Sequence, residues 1–364
     1  MDERTLEKLT AGLLQAATPR DHTPAWPKAC LDLLQDAGLW RCAIPTRWGG
    51  AAAPYPQHVR AYESVAAGSL AAALLLTQRD GAVDLIARGK NPELKDRLLP
   101  AHARGERFTS IGISQVTTSV GGRAPKLLAT VCDEGFILDG VMPWVSGACG
   151  CDEIVTAAVT SDGLELLACV PTAARGLTCE PAMRLMALES SCTSRVRCEH
   201  VVITQAEIVR GPAARVLSRR TPVKELTVTA VGLGSAAAMA GELRKSGKSL
   251  EATARGFVEE LFGELDELRS AIYAAAERLG EDETSAQSVA LRVRMNHLLS
   301  RLALAMLSAG KGSGYVLGSP SERLLREAMF FQVWSCPDTV RTRTLERLIR
   351  GGSATESAGG GAAS

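Results

Sequence analysis

The sequence predicts an α+β protein in three parts: an N-terminal helical domain, a middle β domain built as a barrel or sandwich, and a C-terminal four-helix bundle. Three observations carry this. Apolar residues recur at helical spacing over 1–107, at strand spacing over 108–210, and at helical spacing again over 211–350. Gly-containing turn signals cluster in the middle third, between short runs rich in β-branched residues. A length of 364 residues with 46% hydrophobic content is enough for several domains with substantial cores.

The elements follow in order. Leu6, Leu9, Leu13 and Leu14, then Cys30, Leu33 and Leu34, then Val59, Tyr62, Val65 and Ala66 mark successive helices. Between them, 36–50 reads as a helix ending at Gly38, a short apolar run, and a turn forced by Pro45 and the Gly49-Gly50 pair. Residues 91–100 read as a short helix capped by Asn91, with Pro92 in its first turn and Pro100 at its end. The runs FTSIGIS, KLLATVC, GFILDGVMPWVSG, EIVTAAVT, LELLACVP and SRVRCEHVVI read as strands. Turns are expected at Asp133-Glu134-Gly135, Asp139-Gly140 and Ser161-Asp162-Gly163, and His200 at the start of a strand. From about Arg219 four helical runs with apolar stripes form the bundle, and Asp338 is the expected N-cap of a last helix. The tail, 351–364, has too little apolar content to fold and is expected to be disordered.

Composition narrows the function classes. Lys and Arg total 41 against 40 Asp and Glu, a net charge of +1, so no single-sign field implies nucleic acid or an acidic membrane as partner. The longest apolar stretch, 66–77, is shorter than the roughly 20 residues a membrane-spanning helix needs. The ten cysteines form no paired CxxC knuckles, and Cys149-Gly-Cys151, without His or a further Cys nearby, makes a poor metal site. With a charged start lacking an apolar signal core, this points to a reducing cytoplasm and no disulfides.

Six stretches, in order, resemble landmarks of the acyl-CoA dehydrogenase family of flavoproteins, and together they cover nearly the whole chain. GLWRCAIPTRWGG (38–50) is similar to the family's first turn, and RLLPAHARGERFTSIGISQVTTS (97–119) resembles the approach to the strand that runs along the flavin ring. GFILDGVMPWVSGACGCDEIVTAAVT (135–160) resembles the strand pair whose Trp, aliphatic residue and Ser or Thr lie against the ring, and 169–203 is similar to the strands that close the domain. LRKSGKSL (243–250) and GKGSGYVLGSPSERLLREAMFFQVW (310–334) resemble the bundle's cofactor-binding turns and its Arg-Asp helix. The resemblance implies FAD as cofactor, with Ile113, Ser114, Trp144 and Ser146 at the ring. It implies Arg244 and Gly312 at the pyrophosphate or adenosine of a flavin held by a neighbouring subunit, hence a homodimer or homotetramer.

The same resemblance implies oxidation of an acyl-CoA or acyl-carrier-protein thioester, with an electron-transfer flavoprotein or a flavin reductase as redox partner. A carboxylate takes the α-proton while the β-hydride passes to the flavin. Aligned without gaps, the usual base position after the Arg-Asp helix falls on Ser335, in the sequence FFQVWSCPDTV, with Cys336 and Pro337 following. A hydroxyl cannot replace a carboxylate near neutral pH, and loss of a positioned base typically costs about 10² to 10⁴ in rate. Some family members carry the base on an earlier bundle helix, where the register puts Pro222 at the base position and Glu225 one turn on. The phosphate turn SQVTTSVGG (114–122) also departs from the family pattern. Three functions therefore stay open: an acyl-thioester dehydrogenase with a displaced base, a flavin-dependent monooxygenase that needs no α-carbon base, and a degenerate member that binds flavin, a thioester or a partner subunit without turnover.

Overall fold

The computed structural model describes residues 1–17, 23–117, 126–217, 222–247, 250–279 and 284–350. The N-terminal helices are α1 (Glu3–Ala17), α2 (Lys28–Asp36), α3 (Tyr55–Gly68), α4 (Leu70–Ala87) and α5 (Pro92–Arg104). Gly38 ends the stretch after α2 in the left-handed conformation (φ 78°), as glycine allows there. Gly50 has no room for a side chain: a Cβ would lie 1.8 Å from the Ile44 carbonyl oxygen. Ser69 separates α3 from α4 with an extended backbone, and its hydroxyl accepts the Ala72 amide at 3.2 Å as an N-cap. α4 is buried along its whole first half, from Leu70 to Leu76, because it runs between α3 and the sheet. Asn91 caps α5 as expected, accepting the Leu94 amide at 3.1 Å. Pro100, however, lies inside α5 and does not end it. The helix runs on because Ala101, His102 and Ala103 are buried in its last turn, and Gly105, at φ 75°, then terminates it.

The strands are β1 (Thr109–Gly112), β2 (Leu127–Cys132), β3 (Gly135–Val145), β4 (Glu153–Thr160), β5 (Glu165–Pro171), β6 (Leu177–Cys179), β7 (Ser194–Thr204) and β8 (Ile208–Ala213). They join in one sheet of order β6-β7-β3-β2-β4-β5-β8. β1 pairs in parallel with the first half of β4, from Thr109 opposite Glu153 to Gly112 opposite Thr156, and β2 pairs with its end at Val159 and Thr160. Asp139-Gly140 is not a turn. The pair forms an irregularity inside β3, where the register against β7 shifts and Asp139 Oδ1 accepts the His200 amide at 2.7 Å. His200 accordingly lies within β7, at φ 57°, and not at its start. A four-residue helix, α6 (Ser114–Thr117), follows β1 directly, so Ser114 opens a helix where the sequence suggested the end of a strand.

The bundle consists of α7 (Pro222–Ser246), α8 (Ala252–Glu277), α9 (Thr284–Gly314), α10 (Pro320–Phe330) and α11 (Asp338–Arg350). By length and composition α7 is apolar enough to cross a bilayer, but 72% of its most apolar window is buried, as expected of a core helix. It packs on α3 with one face and on α9 with another. Two glycines permit both approaches: a Cβ on Gly234 would lie 2.1 Å from the Glu63 carbonyl oxygen on α3, and one on Gly232 would lie 2.9 Å from the Met295 side chain on α9. The regular helix of α9 breaks at Lys311 (φ 50°, ψ −146°). α11 begins at Asp338, so the capping position falls on Pro337, whose carbonyl accepts the Arg341 amide at 2.8 Å; Asp338 instead pairs with Arg341 at 2.6 Å. The tail 351–364 lies outside the described residues.

Candidate active site

The ends of β1 and β3 converge. The Ser110 hydroxyl donates to the Ser146 carbonyl, and a Cβ on Gly112 would lie 2.8 Å from Met142 Sδ and 3.0 Å from Val145 Cγ2. Ile113 and Ser114 follow directly on Gly112, and Trp144 and Ser146 flank Val145, four residues that the resemblance assigns to one ring. Trp144 is 54% exposed, which is unusual for an indole and leaves an apolar surface uncovered. Ser114 Oγ is buried and has no hydrogen-bond partner among the described residues. A buried hydroxyl without a partner at the end of β1 and an uncovered indole at the end of β3 suit a flat ring with a polar edge, so these residues fit a flavin. Ser146 is already engaged: its hydroxyl lies 2.9 Å from that of Thr193, which in turn meets the Ser191 hydroxyl at 2.8 Å.

Gln115 was not singled out from the sequence. Its side chain is buried and its Nε2 donates to Gly112 O (2.9 Å), Thr156 Oγ1 (3.0 Å) and Ala157 O (2.9 Å), fixing the turn from β1 into α6 on β4. The signal available was a lone amide where a strand run gives way. Most of the altered phosphate turn, 118–122, lies outside the described residues.

The segment 180–193 links this sheet edge to α10. Gly147 donates to Ser191 O at 2.7 Å, Met183 to Thr193 O at 2.9 Å, and Arg326 Nη1 on α10 to Met186 O at 2.7 Å. At the end of α10, Phe330 stacks on Trp334 with ring centroids 5.2 Å apart, and Phe331 meets the same indole edge-on at 6.1 Å. Ser335 follows, exposed and at φ 46°.

Beneath this corner lies Arg292 of α9, fully buried, whose Nη2 donates to the carbonyls of Phe331 (3.0 Å) and Trp334 (3.1 Å). Its guanidinium carbon lies 5.4 Å from the Phe331 ring. The sequence carried a signal for it that went unread, a cation one turn before Met295 on the apolar stripe of α9.

Glu225 is a buried acid of the bundle. It is 4% exposed in the first turn of α7, and Glu225, Thr229 and Gly232 fall at i, i+4 and i+7 on one helix face. At Gly232 that face meets Met295, Leu299 and Phe331. The opposite face carries Val223 and Thr227, whose carbonyl and hydroxyl oxygens lie 2.8 and 3.0 Å from Tyr55 Oη. Arg244 is exposed with its guanidinium carbon 4.4 Å from the Phe262 ring, and Gly312 lies exposed beyond the Lys311 break with open space where a Cβ would sit. Neither is drawn into the group around Ser114 and Trp144 by any of these contacts.

The arrangement of helical domain, sheet and helical bundle is that of an acyl-CoA dehydrogenase fold. Residues 4–106 match the family model for the acyl-CoA dehydrogenase N-terminal domain. The 2-methylacyl-CoA dehydrogenase of Solanum tuberosum mitochondria is 20% identical over 90% of this chain and 84% of its own length. Among solved structures, glutaryl-coenzyme A dehydrogenase with glutaryl-CoA superposes with a TM-score of 0.83 at 17% identity, covering 96% of each chain. The dibenzothiophene monooxygenase of Paenibacillus sp. A11-2, also solved with FMN, superposes with a TM-score of 0.80 at 17% identity over 95% of this chain and 96% of that one. Residues 4–106 thus match an acyl-CoA dehydrogenase N-terminal domain, and over nearly its whole length the chain resembles acyl-CoA dehydrogenases in fold.

Proposed function

We propose that the protein is a flavin-dependent oxidoreductase of acyl-CoA or acyl-carrier-protein thioesters, with Glu225 as the base that takes the α-proton. The observation that carries this is the burial of Glu225 on the face of α7 that abuts the corner closed by Phe331 and Trp334, whereas Ser335 offers an exposed hydroxyl and no carboxylate. A buried carboxylate on a rigid helix is held in one orientation, as proton abstraction requires. Bound flavin, FAD by family resemblance, supplies the hydride acceptor. Trp144 and Ile113 would cover ring surface and exclude water, the Ser114 hydroxyl would donate to its polar edge, and Arg292 fixes the carbonyls of Phe331 and Trp334. Gly312 and Arg244 complete the cofactor site only across a subunit contact, in a homodimer or homotetramer. The reduced cofactor would pass its electrons to an electron-transfer flavoprotein.

The test is anaerobic addition of an acyl-CoA panel to the flavin-loaded protein, read as loss of the visible flavin band. One or more thioesters should bleach it, and Glu225→Gln should slow bleaching by about 10² to 10⁴ with flavin content unchanged. Unchanged bleaching in that variant removes Glu225 from the role. The mass of the extracted cofactor distinguishes FAD from FMN. A monooxygenase is the second reading, favoured by the absence of a carboxylate at Ser335. It predicts no bleaching by any thioester, reduction by NAD(P)H with a flavin reductase, and substrate-dependent oxygen uptake.

A further inference from the structure

The turn after β3 and the segment before β7 are stapled side by side. The Gly147 amide donates to Ser191 O at 2.7 Å, and the Ser146 hydroxyl meets that of Thr193 at 2.9 Å. Each side of the staple carries a cysteine, Cys149 exposed and Cys192 fully buried. Cys192 has a left-handed backbone (φ 47°) at the end of the Glu189–Ser191 turn. The two thiols face each other, with the Cys192 S–H donating to the Cys149 sulfur. That contact holds Cys149 below the usual thiol range, and the same contact, with burial, pushes Cys192 up. The sequence neighbour Cys151 is not the partner: it is buried with its own S–H directed at Ala148 O, 3.8 Å away, and burial pushes it up as well.

From this juxtaposition of a reachable thiol and a hidden one we infer that Cys149 and Cys192 form a redox modification site, oxidised by peroxides to a disulfide that locks the two stapled segments together. The Cys149 thiolate attacks one peroxide oxygen, the O–O bond breaks, and the departing hydroxide takes a proton to leave as water, giving a sulfenic acid on Cys149. The Cys192 sulfur then attacks the Cys149 sulfur and the S–O bond breaks. Hydroxide leaves with the Cys192 proton as a second water, and the S–S bond forms. Two thiols lose two electrons and one hydrogen peroxide is reduced to two waters. A thiol reductant reverses the step. The staple includes Ser146 and lies two residues from Trp144, so oxidation stiffens the edge of the ring surface; the inference itself does not depend on what binds there.

The full-length protein, reduced and then treated with limiting hydrogen peroxide, is alkylated and its peptides are analysed by mass spectrometry without reduction. The expected result is a Cys149–Cys192 linked pair with the other eight of the ten cysteines alkylated, and recovery of all ten after dithiothreitol. Cys149→Ser, at an exposed position, should fold normally and give no linked pair. The inference is overturned if Cys149 proceeds to a sulfinic acid with Cys192 still alkylatable, or if Cys149 links to Cys179 or Cys151 instead.

Discussion

Ser335 and Glu225 sit in opposite surroundings. Ser335 occupies the aligned position but is exposed, in a backbone conformation that few non-glycine residues adopt, whereas Glu225, one turn from its expected register, is enclosed by helix faces. His102 shows the same dependence on surroundings. It is buried, its Nδ1 lies 2.9 Å from the Arg107 carbonyl oxygen, and its Nε2 lies 2.9 Å from the Thr109 hydroxyl, whose other neighbour is Glu153. Burial, reinforced by Arg79, lowers its pKa to about 3. The unfolded chain therefore binds this proton at a higher pH than the folded one. Stability from the neutral ring is fully present above about pH 6.5 and is lost as pH falls toward 3, by up to roughly 4 kcal/mol. Urea unfolding of wild type against His102→Gln across this range should show a shallower acid limb in the variant.

At the scale of elements, most of the architecture was legible because it follows from periodicity and capping. Asn91, Gly38 and the helical stripes of α7 to α10 each did in three dimensions what their local chemistry implies. The failures have a common cause, tertiary packing overriding a local signal. Pro100 sits inside α5 because the following turn is buried, and Asp139-Gly140 is absorbed into β3 because Asp139 binds the His200 amide across the sheet. Of the candidate site, Ile113, Ser114, Trp144 and Ser146 were expected from the resemblance, and the structure places them at the adjoining ends of β1 and β3. Gln115 and Arg292 were not, since a single polar residue in an apolar run is distinguishable from a surface residue only once its partners are known. The close α3 and α7 contact gives an element-scale prediction. Gly234→Ala places a methyl against the Glu63 backbone and should destabilise the protein by about 1–3 kcal/mol, measured by denaturant unfolding, with helix content retained.

For the whole molecule, apolar side chains left uncovered lie on the outside of the bundle: Tyr315, Val316 and Leu317 beyond the α9 break, and Leu345, Leu348 and Ile349 on α11. Light scattering should show the full-length chain self-associated, and Leu345→Lys with Ile349→Lys should shift it toward monomer if α11 lies in the contact. The two-faced packing of α7 has a different consequence. A helix whose one side is fitted to the N-terminal domain and whose other side is fitted to the bundle belongs to neither alone. The passage from β8 to α7 therefore marks a change in secondary structure and not a seam along which the molecule comes apart. Heating should melt the helical parts in one calorimetric transition, and amides along α3, α7 and α9 should exchange with solvent together.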